Sequence, residues 1–297
     1  MLILLLAQCS VFAKPKAKPP PDPAAAVDLP DDANIASLRV SAMDTIYELD
    51  LTTAQLHVLH GLAAETADSG ARSAATVTPQ FLATLKDLQS ALLDASDDQR
   101  IAKLRNQIID MADGPDIHLD NDIVTTERAR AKSAIGCGQL KASQIAAYIA
   151  VHAEEVSDPL ELMMSAADGL QELHADATQK PDARSDAKAS DPAADADSAI
   201  QETSLTVGYL VAGMDSAKAH AVTQQAAQWL RNANSLSDAE FAQRRTALEE
   251  SAKKIVGDLP PMQVLDNWMQ DQMAILLSNP QLPEAIEAIL KFRTQGG

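Results

Sequence analysis

Helices account for almost the whole of this sequence, and three observations predict an all-α fold. Apolar residues recur at helical spacing from Asp32 onward, in segments separated by short stretches bearing Pro, Gly, Asp or Ser. Several of those segments open on a capping signature. Only Asp116 to Val124 alternates polar and apolar residues, so it alone is expected to be extended. Because 46% of residues are hydrophobic but only 3% aromatic, the core must be built from Leu, Ile, Val, Met and much Ala, which implies closely packed helices.

The first thirteen residues, Met1 to Ala13, form an apolar run that reads as a signal peptide, although no basic residue precedes it. The run is shorter than the about 20 apolar residues of a membrane span. Leu6-Ala7-Gln8-Cys9 offers Cys9 as a lipid acceptor, with Gln8 a poor residue before it, so a membrane tether follows only if Cys9 is lipidated. Residues 14–30 are a Lys/Pro-rich spacer in which Lys14-Pro15-Lys16-Ala17-Lys18-Pro19-Pro20-Pro21 extends as polyproline. Once the signal is removed Cys137 is the only cysteine, and packing alone must hold the fold. The expected compartment is periplasmic or secreted.

An N-terminal helical lobe is expected over 31–175. Ile35, Leu38, Ala42, Ile46 and Leu49 share one helical face. Leu51-Thr52-Thr53-Ala54-Gln55-Leu56 then starts a helix with a capping box, Thr52 to Gln55, and a staple, Leu51 to Leu56. Val77-Thr78-Pro79 opens the next, with Thr78 as cap and proline at the first helical position. Ile101, Leu104, Ile108 and Met111 make the apolar stripe of a helix over Asp98 to Met111, which Gly114-Pro115 ends. Further helices begin at about Thr126, Lys141 and Pro159, the last capped by Asp158 and Glu161.

Residues 176–197 contain Ala, Asp, Ser, Lys and Pro with no large apolar residue, the composition of a disordered acidic, Ala-rich linker between two lobes. The C-terminal lobe, 198–297, is expected to hold helices at about Ile200 to Ala212, Ser216 to Arg231, Asp238 to Val256, Pro261 to Leu277 and Pro283 to Phe292. Its best start is a second capping box, Leu236-Ser237-Asp238-Ala239-Glu240-Phe241, and Trp229 and Trp268 read as core anchors.

A formal charge of -18 and the lack of a Lys/Arg cluster in the folded part exclude nucleic acid as a partner. The sequence holds no GxSxG, no phosphate-binding glycine loop, no HExxH and no Cys-rich zinc spacing, so no enzyme and no cofactor is expected. Asp116-Ile117-His118-Leu119-Asp120-Asn121-Asp122-Ile123 with Glu127 resembles a calcium loop, but His118 and Asn121 stand where such a loop is least tolerant. Cys137, between Gly136 and Gly138, lacks a base beside it in sequence.

Leu51-Thr52-Thr53-Ala54-Gln55 resembles the LTxxQ motif of the Spy/CpxP group of periplasmic helical proteins, and Leu140-Lys141-Ala142-Ser143-Gln144 is a looser second copy in which Lys141 is a poor cap. The resemblance covers about the first two helices, and the group's members are much shorter. It implies an ATP-independent chaperone, a stress-response inhibitor or a metal-responsive accessory protein. In general look the chain also resembles long exported proteins of planctomycete-type bacteria.

The expected function is therefore that of an exported, non-enzymatic binding or chaperone-like protein with a protein partner. Met111, Met163, Met164, Met214, Met262, Met269 and Met273 are candidates to line the contact surface or, individually, to fill the core. The alternative is a metal-binding accessory or sensor protein using His57 and His60, three apart on one helix face, with Glu65 further along. His118, His152, His174 and His220 would have to reach such a site from elsewhere in the fold.

Overall fold

The computed structural model describes residues 32–67, 70–112, 114–153, 158–179 and 192–295; the expected signal, the expected spacer and the middle of the expected linker lie outside them. The described residues form twelve α-helices: α1 (Ala33–Glu48), α2 (Thr53–Thr66), α3 (Pro79–Asp94), α4 (Asp98–Ala112), α5 (Glu127–Cys137), α6 (Ala142–Val151), α7 (Pro159–Gln179), α8 (Pro192–Ala212), α9 (Ser216–Asn234), α10 (Asp238–Val256), α11 (Pro261–Ser278) and α12 (Leu282–Gln295). The all-α class is as expected.

Side-chain caps set many of the starts. Asp32, Thr52, Thr78, Thr126, Asp215 and Ser237 each accept from a backbone N–H of the first turn, satisfying donors that have no partner within the helix. Leu51 and Leu56, the expected staple, are both fully buried.

The expected extended stretch forms no strand. His118 and Thr76 exchange backbone hydrogen bonds of 2.7 and 2.9 Å, an isolated antiparallel bridge between two loops. Short polar loops do not supply the neighbours a ladder needs.

Two apolar cores organise the helices, and they do not follow the expected division at the linker. The first gathers Met43, Leu56, Phe81 and Leu85 from the N-terminal helices together with Trp268, Met273, Ile286 and Phe292 from α11 and α12. The second belongs to the intervening helices α7 to α10, with Met163, Ile200, Trp229 and Leu230 at its centre. The last two helices therefore close the first core, and α7 to α10 are inserted between α6 and α11. Trp229 and Trp268 do anchor cores, but different ones.

Buried polar contacts fix this return of the chain. Asn279 Nδ2 donates to Leu38 O at 2.9 Å, Thr66 Oγ1 to Leu277 O at 2.7 Å, and Thr126 N to Ser278 Oγ at 3.0 Å. At the junction of the cores Arg130 places its guanidinium 3.3 Å from the Tyr209 ring centroid and donates to Asp271 at 2.7 Å, and Asn267 donates to Leu210 O at 2.8 Å.

The expected linker is shorter than its composition suggested. Residues 176–179 continue α7 and residues 192–197 begin α8, while 180–191 lie outside the described residues. Alanine is the strongest helix former, and Ala196 is small enough to enter the second core, so lack of large apolar side chains did not mean lack of helix.

Candidate functional site

The two LTxxQ-like segments meet in space. Each follows a helix that ended three residues before the motif leucine, α1 before Leu51 and α5 before Leu140, and each starts the next helix. Gln55 Oε1 accepts from Thr52 N at 2.8 Å, and Gln144 Oε1 accepts from Lys141 N at 2.9 Å. The amide nitrogens then cross over. Gln55 Nε2 donates to Gln139 O at 2.6 Å and to Gln144 Oε1 at 2.9 Å, while Gln144 Nε2 donates to Asp50 O and Leu49 O, both at 2.8 Å.

Gln139 and Asp50 occupy the same place, one residue before each motif, so the two turns are related by a local pseudo-twofold. Both glutamines are buried, and each has partners for its N–H groups and its oxygen. Lys141 has no acceptor to offer, so the second copy lacks the side-chain cap that Thr52 supplies; what it retains is the glutamine. Asp50 takes a left-handed φ of 46° to make its turn, a conformation that Asp tolerates better than most side chains.

His57 is exposed on α2. His60 is half-buried, with Nε2 3.2 Å from Glu287 Oε1 on α12, and Glu65 instead pairs with Lys132 at 3.0 Å. The other histidines are elsewhere: His118 in the loop bridge, His152 against Glu48, His220 beside Gln224; the side chain of His174 lies outside those described. Among the described residues no three of His, Cys, Asp or Glu converge to hold a metal ion.

The calcium-like loop is organised by other groups. Arg72 Nη1 donates to Asp120 O at 3.0 Å and to Asp122 O at 2.8 Å, and Asp120 accepts from Ser73 N, which holds its carboxyl below the usual carboxylate range. Glu127, the twelfth position, is the first residue of α5 and exposed. A guanidinium thus engages carbonyls that a cation would need.

Cys137 donates weakly to Met269 O at 3.6 Å, and burial, aided by the Asp266 carboxylate, pushes its thiol up to about 12. A thiol so protonated is a poor nucleophile. Of the methionines considered for a contact surface, Met163, Met269 and Met273 are core residues, Met111, Met164 and Met214 half-buried, and Met262 exposed.

Two features escaped sequence reasoning. The first is a half-buried polar cluster: Arg105 of α4 lies between Asp44 at 2.5 Å and Glu48 at 3.0 Å on α1, and Glu48 also meets His152 at 3.0 Å. Its members are far apart in sequence, and no spacing announces them. The second is an open groove of about 510 Å³ between α8 and α9, floored by Ser204, Thr223 and Ala227 and flanked by Gln201, Leu205 and Gln228. Leu205 is 48% exposed there.

Among the described residues no helix is long and apolar enough to cross a membrane. Compared with protein-family models, with curated proteins and with solved structures, the chain matches none.

Proposed function

We propose that this chain is an exported, non-enzymatic helical protein that acts by contact with another protein, in the manner of an ATP-independent chaperone. The observation that carries the reading is the reciprocal bridge between Gln55 and Gln144. A capping box formed by chance requires no partner, whereas two copies of one motif used as a pair are what a family signature predicts, and this supports the resemblance to the Spy/CpxP group. The export part of the proposal rests on the apolar run Met1 to Ala13 and the spacer after it.

The groove between α8 and α9 is the proposed contact face. Its glutamines and hydroxyls both donate and accept, and Leu205 adds an apolar surface, so it suits an extended segment of an unfolded chain whatever its sequence.

Light scattering tests this. The full chain is expected to slow aggregation of a reduced, unfolding client at near-stoichiometric ratio, without nucleotide, and Leu205→Glu with Ala227→Glu is expected to weaken the effect several-fold. No suppression by the wild-type protein would overturn the reading; undiminished suppression by the double variant would remove the groove from it.

A further inference from the structure

Helices α8 and α9 form a hairpin across residues 213–215, so the chain reverses and Gly208 of α8 faces Ala219 and Thr223 of α9. The groove between them runs away from that turn. Its α9 side extends from Thr223 to Arg231, a length of about 12 Å at the helical rise of about 1.5 Å per residue. An extended chain advances about 3.3 Å per residue, so about four of its residues fill the groove.

Charge is distributed unevenly along this length. Of the lining residues only Arg231 is ionic, and on α9 it stands farthest from the hairpin turn. The lining holds no carboxylate, although the chain as a whole carries a formal charge of -18. Arg231 is exposed, and its guanidinium makes no ion pair or hydrogen bond among the described residues. The other polar groups are amides and hydroxyls. Gln228 gives an N–H to Asn232 at 3.0 Å and keeps its oxygen, while Gln201 is exposed beside it. Leu205 and Ala227 lie between the Arg231 end and the Thr223 end.

We propose that the groove seats the C-terminal end of a polypeptide, with about four extended residues along it and the terminal carboxylate on Arg231. The inference rests on the reading of this groove as the contact face and names what enters it. A guanidinium receives a carboxylate through two parallel N–H donors. A chain end is favoured over an internal acidic side chain because the single cation stands at one end of an otherwise uncharged lining. Every polypeptide also carries a terminal carboxylate whatever its sequence, which matches amides and hydroxyls that can meet any backbone N–H or C=O. Leu205 and Ala227 give apolar side chains of the same segment a surface to lie on.

Fluorescence anisotropy of the full chain with a short peptide of alanine, serine and leucine, labelled at its N-terminus with an uncharged dye, reads the site directly. The peptide is compared with a free C-terminal carboxylate, with a C-terminal amide, and as an amide with one central glutamate. The free acid is expected to bind about fivefold more tightly than either amide, the scale of one exposed charge pair, and the advantage is expected to shrink at high salt. Arg231→Gln is expected to bind all three forms alike, and Arg231→Lys to keep most of the preference; at an exposed position neither disturbs the fold. Equal binding of acid and amide, a preference that survives in Arg231→Gln, tightest binding of the glutamate form, or no binding of any form would overturn the proposal. The chaperone-like reading fails separately, in the scattering assay, if the wild-type chain suppresses no aggregation.

Discussion

The side-chain amides of Gln55 and Gln144 hydrogen-bond each other across 89 residues of chain, and each also reaches a backbone carbonyl in the other's turn. Two helix starts that could have been independent are thereby one unit. Its energetics follow from burial, because an amide removed from this pair leaves its partner's polar atoms without water to replace it.

Gln55→Ala and Gln144→Ala are each expected to destabilise the protein by about 1–3 kcal/mol. The double variant should cost less than the sum, since the second substitution removes a group that the first had orphaned. Thr52→Ala should cost about 1 kcal/mol as a lost cap, and Lys141→Ala less than about 0.5 kcal/mol. Urea unfolding measures all four. Strict additivity would show that the motifs act separately.

Gly208 and Gly61 both lie inside helices, yet replacement by alanine should change stability in opposite directions. A Cβ at Gly208 would meet Thr223 Oγ1 at 2.1 Å and the Ala219 carbonyl at 2.8 Å, where α8 packs against α9. One at Gly61 would meet nothing within 4 Å. Gly61→Ala is expected to stabilise by about 0.5–1 kcal/mol through helix propensity and a less disordered unfolded chain. For Gly208→Ala the backbone contact outweighs that gain, with a net loss of about 1–3 kcal/mol. Thermal melts of the two variants give the comparison.

The caps were legible in the sequence because an N-cap is a local device: Thr52, Thr78 and Ser237 announce their helices within four residues. What the helices pack against was not. Ile286 and Phe292 show by their spacing that one face of α12 is buried, but nothing in that spacing says that α1 and α2 cover it rather than α9 or α10. The second motif looked weak because Lys141 cannot cap, whereas its contribution comes from Gln144 and a contact made through the fold. Arg105, Glu48 and His152 come from three helices, and only their assembly gives them a common chemistry.

Cys137 should be nearly inert in the native protein. Its thiol, pushed up to about 12, stays protonated where an unfolded cysteine has largely ionised. At pH 8 a disulfide reagent is expected to label it at least about a hundredfold more slowly than in urea. The linkage has a definite sign. Folding favours the protonated thiol, so this contribution is complete below an unfolded value of about 8.5 and is lost as pH rises towards the folded one. Between pH 8 and 10 the stability of the wild type should therefore fall more steeply than that of Cys137→Ala.

Calorimetric titration with zinc, nickel or copper is expected to show weak binding that His57→Ala/His60→Ala does not alter. His60 is already engaged by Glu287, and His57 points from an exposed position. Tight one-to-one binding abolished in the variant would move the protein to the metal-responsive class.

The return of α11 and α12 to the first core has a consequence for how the molecule comes into being. A polypeptide delivered from its N-terminus presents α1 to α6 before α11 and α12, and their apolar faces must wait for those later helices, when Asn279 can reach Leu38 and Arg293 can reach the Leu51 carbonyl. The apolar core of the α7 to α10 block meets no such delay, because its members come from helices consecutive in the chain. Assembly is then inside-out: the middle of the gene product matures while its oldest part remains open. A chain released before α11 and α12 were made would leave a finished inner bundle beside an unfinished outer one, with apolar surface at risk of aggregation.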